Sequence, residues 1–359
     1  VPMPQLLSNT GVFSNLSTLE VIDGIVPYEL YESFWSDGAL KRRWIAVPNN
    51  DGVHSGPDEQ IKYSEYSDWE FPPGTVIIKQ FDLQVDDNDP SITKKIETRF
   101  SIVDKDGGWY FLTYNWNDAQ TDAVLQTTSL NEPVTISTDN LGGTRTQMWH
   151  FPSNTECRAC HNEVNKGNLG LKTRYLNIDY TYEETGLERN QLVTLSHLGV
   201  IDQSITNTDT EHIITNKSID DPVASLEERA RSYLDLNCAY CHRLDNPIRT
   251  SFDLRYYNSL EATGILSTGI LTPLEVDPDE KIIYPGDASK SVLYHKINSV
   301  DQSIMMPPLA KFEIDEPGVD LIEAWINQLD TDITDITNNP NPMSNLALLP
   351  SAIVSGSVG

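Results

Sequence analysis

The chain has 359 residues, 38% hydrophobic and 9% aromatic, with 25 basic against 53 acidic side chains and a net charge of −28. This length exceeds the usual single core and calls for two or three domains. The acid excess argues against nucleic acid and against anionic membrane surfaces as partners, and it favours a basic docking protein.

The chain opens at Val1 with no charged segment ahead of an apolar one. It therefore reads as a mature, exported product, periplasmic or extracellular, whose signal has been removed. No apolar run approaches the ~18 residues that span a bilayer, so an integral membrane protein is not expected.

Residues 1–151 read as a β-rich domain. The segment YELYESFWSDGALKRRWIAVP mixes aromatics with turn formers and is expected to lie across the strands. Candidate strands follow at 74–85, 95–103, 108–116, 123–129, 133–138 and 144–151, parted by DDNDPS, DKDGG, NDAQTD and DNLGG. Such Asp, Asn and Gly clusters suit tight turns, and the regular spacing predicts an antiparallel sandwich-like domain.

From 152 to 222 the pattern turns to helices and loops. This region holds ECRACHN, with Cys157, Cys160 and His161, then NQLVTLSHLGVI, a predicted helix carrying His197. The polar stretch 202–222 reads as a linker or surface excursion.

The region 223–335 is the most legible. SLEERARSYLDLNCAYCH puts Leu226, Ala230, Tyr233, Leu234 and Cys238 on one helical face, delivering Cys238, Cys241 and His242 at the helix end. GVDLIEAWINQL puts Ile322, Trp325, Ile326 and Leu329 on one face of a closing helix. Between them, SIMMPPLAKF holds Met306 ahead of Pro307 and Pro308, which favour an extended, stiff loop. The last stretch, 336–359, forms a tail without charge after Pro340. Such a tail frays unless it docks on its own chain or adds to a neighbour, which makes self-assembly through it a testable idea.

The two C-x-x-C-H motifs use every cysteine in the chain. Covalent haem attachment needs this spacing, because each thiol forms a thioether to one haem vinyl group while the next side chain reaches the iron. A four-cysteine zinc site, two disulfides or a thioredoxin-like pair would not require His after both second cysteines. With 7 His in 359 residues, chance puts one behind a given Cys about once in 50 and behind both about once in 2,500. The expected cofactors are two haem c groups, held by Cys157, Cys160, Cys238 and Cys241 with His161 and His242 as proximal iron ligands.

The order of CxxCH helix, Met-Pro-Pro loop and closing helix resembles class I cytochrome c. That resemblance makes Met306, rather than Met305, the distal ligand of the second haem. Over nearly the whole chain, the stretches YELYESFWSDGALKRRW, WEFPPGTVIIKQF, YNWNDAQTDAVL, FPSNTECRACHN, LGLKTRYLN, ARSYLDLNCAYCHR, YPGDASKSVL and MPPL resemble an exported family of diheme c-type cytochromes. The family implies two covalent haems behind an N-terminal β region, with electron transfer as the role. The expected fold class is thus α+β multidomain, an antiparallel β-sandwich-like domain followed by two mainly helical cytochrome c-type haem domains.

The first haem lacks a downstream Met, so its distal ligand stays open among His197, Met148, His150, the remaining His, Lys172 or another chain. An electron carrier needs no general base or nucleophile, and none stands out. A haem enzyme of peroxidase type would need an open first iron, and diheme peroxidases place their two motifs much further apart. A conducting assembly is the third class. The acidic groups at Asp86, Asp87 and Asp89 and at Asp330, Asp332 and Asp335 do not match the EF-hand loop and read as solvated turns.

Overall fold

The computed structural model describes residues 3–139, 141–246 and 251–330. The chain divides into two compact units: residues 3–218 with 299–315, and residues 219–298 with 316–330. Helices and strands are mixed, and no helix among the described residues is long and apolar enough to cross a membrane.

The first unit begins with a small hairpin, β1 (Phe13–Asn15) and β2 (Glu20–Val21). A six-stranded antiparallel sheet follows, in the order β3 (Val26–Pro27), β4 (Leu40–Ala46), β5 (Val76–Gln84), β6 (Thr93–Val103), β7 (Trp109–Trp116) and β8 (Ala123–Gln126). Strand β4 lies within the sequence stretch expected to cross the sheet, yet it pairs with β5 from Leu40↔Asp82 to Ala46↔Val76. The Lys-Arg-Arg run hid its period of two, which places Lys41, Arg43 and Ile45 on one face and Arg42 and Trp44 on the other.

One sheet face is apolar: Trp44, Ile78, Phe100, Tyr114 and Trp116 form a core with Leu7 and Leu19. On the opposite face, Phe81 packs with Val134, Trp149 and Phe151 of the hairpin β9 (Leu130–Ser137) and β10 (Thr144–Phe151). The sequence pattern predicted a sandwich; what forms is one full sheet partly covered by a two-stranded hairpin.

After β10 come α1 (Asn154–Cys160), α2 (Thr173–Leu176), the hairpin β11 (Asp179–Tyr182) and β12 (Leu187–Asn190), α3 (Gln191–His197) and the single turn α4 (Asn207–Thr210). The stretch expected to be a linker or surface excursion belongs to the first unit as far as Ser218. The buried Asn177 donates from Nδ2 to Thr210 O, Ile213 O and Thr215 Oγ1 at 2.8–3.1 Å.

The second unit holds α5 (Leu226–Asn237), α6 (Leu260–Thr263), α7 (Val292–Ile297) and α8 (Glu316–Gln328). Helix α8 packs on α5 and α7. Its buried stripe, Leu321, Ile322, Trp325 and Ile326, follows the 3.6-residue period. Residues 331–359, with the uncharged tail that could dock on its own chain or on a neighbour and with Asp332 and Asp335, lie outside the described residues.

Candidate haem-attachment sites

Helix α1 starts at a capping box in which Ser153 Oγ accepts from Glu156 N and Glu156 Oε2 accepts from Ser153 N at 2.7 Å. Along β7, strand β8 reaches only Thr113–Trp116, so the first half of β7 keeps carbonyls for α1. Asn154 Nδ2 donates to Phe111 O at 2.9 Å and Arg158 Nη2 to Trp109 O at 2.6 Å. These bonds seat the first C-x-x-C-H motif on the sheet.

Within that motif His161 N donates to Cys157 O at 2.9 Å, the helical i to i−4 bond that sets both thiols and the imidazole around one turn. Asn162 accepts from Val164 N and Asn165 N, and the loop returns Gly167 O to 2.8 Å from His161 Nδ1. A carbonyl only accepts, so Nδ1 carries the proton and Nε2 of the neutral ring keeps its lone pair. Burial, with Lys79 as the next cause and Arg99 adding to it, holds this imidazole down at about 4, hence neutral at pH 7. The Phe111 ring lies 4.9 Å away, tilted by 51°. Burial also pushes the Cys157 thiol up.

The second motif repeats the backbone geometry at the end of α5, itself begun by a Ser225–Glu228 capping box. Cys238 N donates to Leu234 O at 2.9 Å and His242 N to Cys238 O at 2.8 Å. The His242 ring stacks on Phe252 at 4.7 Å and 6°. Loss of water around it lowers its pKa to about 4. All four cysteines are half-buried, and none is joined in a disulfide.

The other predicted ligands are dispersed. His197 is exposed in the last turn of α3. Met148 is half-buried on β10 opposite Pro133. His150, two residues on, touches α1: its Nε2 lies 3.4 Å from Glu156 Oε1, while Nδ1 is 2.6 Å from Asn131 Oδ1. Lys172 pairs with Asp68 at 2.9 Å. Met306 is half-buried in 299–315, which belongs to the first unit, whereas His242 belongs to the second. Asp37 anchors that segment by accepting from Phe312 N and Glu313 N, both at 3.0 Å.

The acidic turn holds Asp87, paired with Arg145 at 3.0 Å, and Asp86 and Asp89, which accept from Asn88 N and Ser91 N. Among the described residues no three His, Cys, Asp or Glu side chains cluster to hold a metal ion.

Sequence reasoning missed Gly167, the acceptor for His161, although the Asn-Lys-Gly turn at 165–167 signalled a tight return. It also missed the cations Arg43, Lys79 and Arg99, which line a recess beside His161. No family model, curated protein or solved structure matches this chain.

Proposed function

We propose that the protein is an exported electron carrier with two covalently attached haem c groups. The observation that carries this reading is the twin C-x-x-C-H turn, with each His amide bonded to the first Cys carbonyl and each imidazole kept neutral. Neutral imidazole is the form that binds iron, and a hydrogen-bond acceptor on Nδ1, as Gly167 O provides for His161, fixes the ring and raises its basicity. Half-buried thiol pairs one helical turn apart fit the thioether anchors.

Cys157 and Cys160 would anchor the first haem with His161 as ligand; Cys238, Cys241 and His242 would do the same for the second. The haems supply reversible one-electron chemistry. The chain sets potential through ligands, burial and hydrogen bonds. The acidic surface suits a basic redox partner.

The test is a pyridine haemochrome assay with intact mass, followed by carbon monoxide titration of the reduced protein. Two haems per chain and no carbon monoxide adduct are expected of a carrier with both irons capped. Fewer than two covalent haems would overturn the reading. Ready binding at one haem would move the assignment to a small-ligand or peroxide-activating enzyme.

A further inference from the structure

The sheet face opposite the apolar core carries a line of cations that electron transfer alone leaves without a task. Arg43, Lys79 and Arg99 are direct cross-strand neighbours on β4, β5 and β6. Like charges opposed across a sheet are destabilising, and burial raises the cost.

Two members have carboxylates: Arg43 Nη1 lies 2.7 Å from Glu29 Oε1, and Arg99 pairs with the buried Glu97. Lys79 has no carboxylate within ion-pair distance among the described residues, and its ammonium lies 5.5 Å from the Phe34 ring centre and 5.8 Å from that of Phe81. The Nε atoms of Arg43 and Arg99 are buried without a hydrogen-bond partner among the described residues. Arg43 itself is 2% exposed. Unmet donors and surplus positive charge at one place ask for an anion.

The place is the first C-x-x-C-H motif. Arg43, Lys79 and Arg99 share a small, partly open recess with Tyr28, His161 and Gly167, with room for a small polar group. Phe111, the aromatic neighbour of His161, stands on the same sheet face, in the row of Ser101 next to that of Arg99.

We propose that Arg43, Lys79 and Arg99 bind the propionate carboxylates of the first haem, which makes the β-sheet a wall of that haem's site. The inference rests on the reading that Cys157, Cys160 and His161 hold a haem. Arg presents a planar fork and Lys a point charge, and both form charge-assisted bonds to carboxylate. A cation at the propionates also favours the reduced iron, so the row would raise the potential of this haem.

The test uses the full haem-loaded chain and its Lys79→Gln, Lys79→Arg and Arg43→Lys variants. Haem content comes from the pyridine haemochrome, potentials from spectroelectrochemistry, and propionate contacts from the bending bands in the resonance Raman spectrum. A Cys238→Ala/Cys241→Ala chain, carrying the first haem alone, assigns the signals. Lys79→Gln is expected to keep two haems, lower the first potential, shift the propionate bands and leave the second haem unchanged; Lys79→Arg restores the potential. Arg43→Lys should shift the bands with a smaller change in potential. Two haems with unshifted bands in both Lys79→Gln and Arg43→Lys overturn the proposal while the haem reading stands. Fewer than two haems in the unaltered chain remove that reading itself. A first potential that follows added inorganic phosphate, with unshifted bands, assigns the row to a free anion and overturns the propionate proposal.

Discussion

Gly167 combines two duties. Its carbonyl holds His161 Nδ1, and its φ of +69 lies in the left-handed region, where an added Cβ would fall inside the Trp109 indole. Gly167→Ala is therefore expected to cost about 1–3 kcal/mol in urea unfolding and, on the proposed haem reading, to perturb the spectrum of a haem held by His161. An unchanged midpoint would mean that the turn relaxes freely. Asp37 gives a pH prediction. Burial pushes its carboxyl up to about 6, against the amide donations of Glu313 and Phe312 that pull it down. The folded state thus holds the proton more tightly than the unfolded chain, so Asp37 contributes stability that is full below about pH 4 and is lost as pH rises through about 6. The neutral amide of an Asp37→Asn variant keeps an acceptor for both backbone amides, because Oδ1 accepts from Phe312 N and Glu313 N, and it gives up only the second, 3.1 Å contact of Phe312 N with Oδ2. That variant should accordingly gain on the unaltered protein between about pH 4.5 and 7, by up to ~3 kcal/mol. A stability difference between the two proteins that stays constant across this range would contradict the assignment.

Among the elements, α5 and α8 meet where Gly318 faces Tyr233: a Cβ at Gly318 would lie 2.5 Å from the phenol ring. Both helices are set by packing, so the ring cannot retreat without opening the contact. Gly318→Ala is expected to destabilise the second unit by about 1–3 kcal/mol, seen as a lower unfolding midpoint in far-UV circular dichroism. A midpoint equal to that of the unaltered protein would show a looser crossing. The 202–218 stretch depends on Asn177 in the same way. Asn177→Ala removes the donor shared by Thr210, Ile213 and Thr215, and faster amide exchange confined to that stretch is the expected outcome.

Across the molecule, each unit carries one motif and its own apolar core. On the proposed haem reading, Cys157→Ala/Cys160→Ala should lower the haem count from two to one by mass while the remaining haem keeps its spectrum; loss of both would mean the units do not fold separately. Strands β5–β10 and helices α1, α3, α5 and α8 were legible, because Asp- and Gly-rich turns bound the strands and periodic apolar residues mark α5 and α8; the short β1–β3, β11 and β12 and the short helices α2, α4, α6 and α7 were not. Strand β4 was not, since three consecutive basic residues read as surface until β5 pairs with them. Of the two readings of the polar 202–218 stretch, linker or surface excursion, its attachment to Asn177, far back in the chain, fits the second. The two C-x-x-C-H turns follow from sequence without further help, because an i to i−4 bond and the Cys-to-His spacing are local. Their surroundings do not. The cations beside His161 come from three strands, and cross-strand register, which no local pattern encodes, brings Arg43, Lys79 and Arg99 into one row.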